Sequence, residues 1–184
     1  MNAGPVNTGP VDAGNRSLGT VRRAPDGWVV RFERHLAHDR QKVWRALTES
    51  EHLRHWMPCD IVGERRAGAS IELPFWPPHV EKYGIDTPTL PGRIRIWEPP
   101  SVFEWTWDTD VLRWELAEAS GGTKLTLTTW LAPDDAGAAN TAAGYHACLT
   151  NLASLLDTGT AEPLVDADVG PWELRYREAV SEAS

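Results

Sequence analysis

The chain has 184 residues, 41% of them hydrophobic, and a formal net charge of -8, a length and composition suited to one ordinary core. Its densest basic runs are the pairs Arg22-Arg23 and Arg65-Arg66, too short to track a phosphate backbone, so no nucleic-acid partner is expected. Cys59 and Cys148 form no CxxC pair, and a chain of this size does not depend on one disulfide, so reduced thiols and a cytoplasmic location are expected.

Residues 1–26 are rich in Gly, Pro and Asn and contain the quasi-repeat Gly4-Pro5-Val6-Asn7-Thr8 and Gly9-Pro10-Val11-Asp12-Ala13. They lack the apolar run of about 7–15 residues that a signal peptide requires and read as a flexible N-terminal tail. No run of about 18 apolar residues occurs anywhere, so membrane insertion is not expected. The domain is expected over 27–160. A C-terminal extension over 161–184 is packed on it or mobile.

Trp28, Val30, Phe32 and Leu36 share one parity while Arg31, Glu33 and His35 share the other, the alternation of a half-buried strand. Arg34 breaks the apolar series and points to the same face. Asp39 is placed to cap a helix carrying Val43, Trp44 and Leu47, and Ser50 to cap a second with Leu53 and Trp56, ended by Pro58. Six strands follow over 61–65, 69–75, 92–97, 101–107, 112–117 and 124–130, punctuated by turn residues. The segment 74–91 shows no clean period and reads as a loop long enough to be a lid. Over 138–157, Tyr145, Cys148, Leu149, Leu152, Leu155 and Leu156 recur on one helical face, and Gly159 ends the helix. The last stretch, with Trp172, Leu174 and Tyr176, is a strand or a helix.

This order of elements resembles the helix-grip fold of the START-like (SRPBCC, Bet v 1-like) superfamily, an α+β architecture in which a curved antiparallel sheet surrounds a long C-terminal helix beside two short ones. Local strings resemble one branch, the activator-of-Hsp90-ATPase-like family. Val43-Trp44-Arg45-Ala46-Leu47-Thr48 with Leu53 and Trp56 is similar to its VWxALT…LxxW opening. Val62-Gly63 with Gly68, Gly92-Arg93-Ile94 with Trp97-Glu98-Pro99-Pro100, and Phe103-Glu104-Trp105-Thr106-Trp107 resemble its central strands. Gly122-Thr123-Lys124-Leu125-Thr126-Leu127 and Gly144-Tyr145-His146-Ala147-Cys148-Leu149 resemble its ending. The departures are Glu64 for a second Gly, Tyr145 for Trp, and the 74–91 insertion. The resemblance implies the fold; the family's functions are diverse, so it assigns none.

Ten tryptophans are the compositional oddity, more large amphipathic rings than one core requires. Parity turns the central-strand aromatics toward the long helix, and two outcomes are open. Either helix and sheet touch throughout and make a filled core, or their differing curvature leaves a mainly apolar cavity. The cavity would be lined by Trp56, Phe75, Trp76, Trp105, Trp107, Trp114, Tyr145 and Leu149, with Arg34 as a polar anchor that needs an anion. His146 is a weaker site candidate than a solvent-facing or core histidine. Glu72, Glu104 and Asp108 are expected at solvated positions, which leaves no inward acid–base pair. Ile96 is placed inward, and Trp97 and Trp130 outward, where together they offer a partner surface.

No nucleophile elbow, phosphate loop or dinucleotide fingerprint is present, and no cofactor is expected. His52, His55, Cys59 and Asp60 are near one another in sequence, but an ordinary polar helix face explains them better than zinc. The favoured function is binding of a small hydrophobic or aromatic ligand, lipid or polyketide-like. The alternatives are an enzyme resembling the polyketide cyclases and aromatases of this fold, or an interaction module resembling the co-chaperone domain. Packing under the tail or a homodimer partner would explain the outward Trp97 and Trp130 as well.

Overall fold

A computed structural model of the protein describes residues 17–184. The strands are β1 (Thr20–Ala24), β2 (Gly27–Leu36), β3 (Val62–Gly63), β4 (Ser70–Pro74), β5 (Thr89–Glu98), β6 (Val102–Trp107), β7 (Asp110–Ala119) and β8 (Gly122–Leu131). They form one antiparallel 8-stranded sheet in the order β1-β2-β8-β7-β6-β5-β4-β3. The helices are α1 (Arg40–Thr48), α2 (Ser50–Trp56), α3 (Pro77–Tyr83), α4 (Asp135–Thr158) and α5 (Gly170–Ala183), with a single 3-10 turn at Leu164–Asp166. The sheet grips α4, as the resemblance implies. Among the described residues no helix is long and apolar enough to cross a membrane.

The alternation in β2 gives the sheet its inner face, with Trp28, Val30, Phe32, Arg34 and Leu36 all buried. Asp39 caps α1 by accepting the Lys42 amide at 2.9 Å, whereas Ser50 is the first residue of α2 and the cap position is Glu49. On α4, Tyr145, Cys148, Leu149, Leu152, Leu155 and Leu156 are buried, and Gly159 closes the helix at φ 79, a left-handed conformation that costs a residue with a Cβ.

Three expectations are corrected and one open alternative, that of the last stretch, is resolved. Part of the segment expected as a flexible tail is a strand: β1 pairs with β2 from Thr20↔Arg31 to Ala24↔Gly27, while residues 1–16 lie outside the described residues. The 74–91 insertion contains α3, whose start has Pro at its first positions and whose end is Gly84 in the left-handed region, both common helix boundaries. The last stretch is a helix, α5, packed on α4 and β1.

The third correction concerns parity. The β5–β6 register shifts between Ile94 and Ile96, so that Ile94 opposes Trp105 but Ile96 opposes Glu104 and Trp97 opposes Phe103. This bulge at Arg95 exchanges the faces. Trp97 therefore turns inward against Trp44 and Phe103, with ring centroids 5.1 and 5.0 Å away. Ile96 shares the outer face with Glu104. Trp130 remains outside, 36% exposed, under the Arg113 guanidinium at 5.7 Å. Trp97 and Trp130 thus do not form one surface. Glu104 is not solvated but buried, gripped by Arg95 at 3.1 Å and Arg113 at 2.5 Å.

Candidate functional site

Directly beneath the middle of α4 the protein is packed. Trp56 donates its indole N–H to the Ala46 carbonyl at 2.8 Å and meets Trp114 edge-to-face, with centroids 5.5 Å apart. Trp105 lies between Phe103 and Trp107, and Leu149 and Leu152 close the layer from the helix. The rings of this layer are in mutual contact, as in a close-packed core. Phe75 packs on Trp107 at 5.7 Å. Trp76 is fixed by a 2.8 Å hydrogen bond to the Met57 carbonyl.

The opening lies at one end. A cavity of about 480 Å³ sits between the first half of α4, the β6–β7 turn, α3 and the 3-10 turn. Of the residues singled out from the sequence, Trp107 and Tyr145 line it; Trp56, Phe75, Trp76, Trp105, Trp114, Leu149 and Arg34 do not. Leu90, Trp107, Ala147, Leu164 and Val169 supply apolar wall, and His79, Asp108, Asp110, Asn140 and Thr141 supply polar groups. In the α4 wall stands Gly144, where an added Cβ would meet nothing within 4 Å.

The carboxylates owe their place to the tight turn. Trp107 pairs with Asp110 across Asp108-Thr109, and Asp108 takes φ 52, a left-handed conformation that Asp tolerates better than most residues. Asp108, expected at a solvated strand end, is exposed yet also forms part of the cavity wall. Asp110 was visible only by extending a pattern: the inward parity of Leu112, Trp114 and Leu116, carried back one step, reaches it. Burial raises the Asp110 pKa, and neighbouring Asp108 raises it further, against the hydrogen bond from the Ala132 backbone.

Burial holds a phenol, a thiol and an imidazole of the same wall in their neutral forms. Burial pushes the Tyr145 phenol well above its ordinary range, with Cys148 and Asp110 adding to the effect. Burial likewise lifts the Cys148 thiol to about 12, which removes it as a nucleophile at neutral pH. His79 is lowered by burial and then by Lys82, and its Nδ1 has no hydrogen-bond partner.

Arg34 and His146 occupy a different place, a buried corner under α5. The Arg34 guanidinium is 1% exposed, donates to the Glu33 carbonyl at 2.9 Å and lies over Phe32 at 5.4 Å, while its Nε and Nη2 have no partner among the described residues. His146 stacks on Trp172 at 3.9 Å. The Tyr176 hydroxyl accepts the Gly19 amide at 2.8 Å, so its proton is directed to His146 Nδ1 at 3.0 Å. Burial and the nearby Arg34 charge bring the His146 pKa to about 4, consistent with a neutral, accepting ring. The corner ties α4, α5 and the segment before β1 together. Of the residues weighed for zinc from their spacing, His52 lies with Glu49 and Glu51 at the surface and Cys59 is in the core.

Comparison with solved structures returns the same architecture. A conserved protein of unknown function from Enterococcus faecalis matches with a TM-score of 0.76 at 20% identity, over 96% of this chain and 99% of the other. CalU16 from Micromonospora echinospora matches with a TM-score of 0.64 at 18% identity, over 90% and 94%. A protein from Rhodobacter sphaeroides matches with a TM-score of 0.55 at 22% identity, over 74% and 97%. At these identities the likeness is one of fold. No curated protein matches the chain. The profile described as Activator of Hsp90 ATPase homolog 1-like protein, however, matches residues 37–157, the region that holds both short helices, the sheet from β3 to β8 and all but the end of α4, and the chain belongs to that family.

Proposed function

We propose that the protein binds a small, mainly apolar molecule in the cavity at the first half of α4. The observation that carries this reading is the pairing of a 480 Å³ space with Gly144 in its helical wall. The volume falls within the range of about 300–1,000 Å³ typical of small-molecule sites. A glycine inside a helix costs about 1 kcal/mol relative to alanine, and here a larger side chain would meet no obstacle. The helix gives up both stability and packing at a residue of the cavity wall, which favours a space kept for an occupant. The two free cysteines, both buried, support a reducing, cytoplasmic setting.

Titration with the neutral fluorophore N-phenyl-1-naphthylamine tests the reading. Saturable binding is expected, lost in Gly144→Phe, which fills the space, and retained in Trp76→Ala. Binding that survives Gly144→Phe would place the ligand elsewhere.

A second reading, a cyclase-like enzyme, draws support from Asp110. A carboxyl with a raised pKa in an apolar wall is suited to proton transfer to a bound reactive chain. Under this reading Asp110→Asn abolishes turnover of a polyketide-like substrate while leaving its binding intact.

A further inference from the structure

We propose that the cavity selects an apolar or aromatic amine, cationic at neutral pH, with its ammonium group at Asp108 and Asp110 and its apolar body against Trp107 and Tyr145. This inference rests on the ligand-binding reading and adds the class of ligand.

Three observations converge on it. First, the cavity has one sign of charge. Two carboxylates line it, and among the described residues no lysine or arginine does. Lys82 stands behind the wall without lining it: its charge is felt at His79, while its ammonium donates to the Val165 carbonyl and lies 5.8 Å from the Tyr83 ring centroid. At the two carboxylates an anionic ligand meets repulsion and a cation meets attraction in a partly desolvated wall, where charge counts for more than in water. The net charge of -8 on the whole chain adds a weak field of the same sign.

Second, the wall holds a polar atom that no protein group satisfies. His79 is 8% exposed, lines the cavity and has an unpartnered Nδ1. Buried polar atoms are nearly always paired, and this one has almost no accessible surface and no partner among the described residues, so a donor from outside the chain reaches its lone pair only when the ring turns toward the cavity.

Third, Tyr83, Trp107 and Tyr145 bring aromatic rings to the same wall. Aromatic faces attract a desolvated cation, and they accept the apolar remainder of the molecule equally well. A ligand with an apolar body alone would desolvate Asp110 further, leaving it the Ala132 backbone hydrogen bond and no cation among the described residues, and one with a carboxylate would add repulsion.

Binding of 1-naphthylmethylamine, 1-naphthalenemethanol and 1-naphthoate, which share an apolar body and differ in charge, tests the inference at neutral pH by calorimetry. The amine is expected to bind about 10-fold or more tightly than the alcohol, and the carboxylate more weakly than either. Asp110→Asn should bring the amine down to the level of the alcohol while leaving the alcohol unchanged. Asp108→Asn, in which Asn accepts the left-handed backbone as readily as Asp, should reduce the preference in part, and it decides the question if the first variant fails to fold. Equal binding of amine and alcohol, tighter binding of the carboxylate, or a preference that survives both substitutions overturns the charge selection while leaving the ligand-binding reading in place. Absence of binding by all three, in a protein whose Gly144→Phe variant behaves identically, overturns both.

Discussion

Arg34 is a charge taken out of water without a carboxylate to meet it. Its one hydrogen bond to Glu33 and its contact with Phe32 leave two nitrogens unpaired, and each such group costs roughly 1–3 kcal/mol. Buried ionic groups can often be replaced by apolar ones of similar shape without loss, so Arg34→Met is expected to leave stability unchanged or raise it by about 1 kcal/mol in urea melts. The same variant should raise the His146 pKa from about 4 part of the way toward its ordinary 6.5, because burial, the larger cause, stays while the Arg34 charge, the next, is removed. In the wild type the folded ring binds its proton later than the unfolded chain. Its contribution is therefore complete above pH 6.5 and is lost as the pH falls toward 4, a loss on the order of 2 kcal/mol. The melting temperature should decline across that window, and less steeply in Arg34→Met. A decline of equal slope in both would remove Arg34 from this account. The parity of β2 already placed Arg34 inward; what it met there was not legible, because α5 and the segment before β1 come from opposite ends of the chain.

Elements were legible where periodicity was regular and local. The alternation of β2, the apolar face of α4 and the Asp39 cap follow from spacing alone, and each is present. The bulge at Arg95 was not, since a single inserted residue leaves the composition of β5 unchanged while exchanging its faces beyond that point. Trp97 and Trp130 now separate the two parities experimentally. Trp97→Ala should cost about 3 kcal/mol, as expected for a large ring removed from a core, and Trp130→Ala under about 1 kcal/mol. Comparable losses at both positions would contradict the register. In α3, proline at the start and Gly84 at the end were the available signals, masked by the absence of an apolar period over seven residues.

At the scale of the molecule, the choice between a filled core and an open cavity resolves by position. The tryptophans pack the middle, where Trp56 and Trp114 meet, and the space lies at the end where the β6–β7 turn, α3 and the 3-10 turn approach α4. Sequence parity identified which residues face inward and could not tell which of them touch, because that depends on how far the sheet curves away from the helix. Trp107 and Tyr145 were among the inward residues and line the cavity; Asp110 continues the inward parity of β7 by one step, Gly144 lies within the legible helix α4, and His79 completes the wall from a segment where periodicity carried no signal. The most direct measurement is a two-dimensional NMR titration of the tryptophan indole N–H groups with 1-naphthalenemethanol. The account predicts saturable movement of the Trp107 indole and of the Gly144 and Ala147 amides, with the Trp56 and Trp114 indoles unmoved. Movement at Trp56 and Trp114 with Trp107 unchanged would place the ligand under the middle of the helix and contradict it.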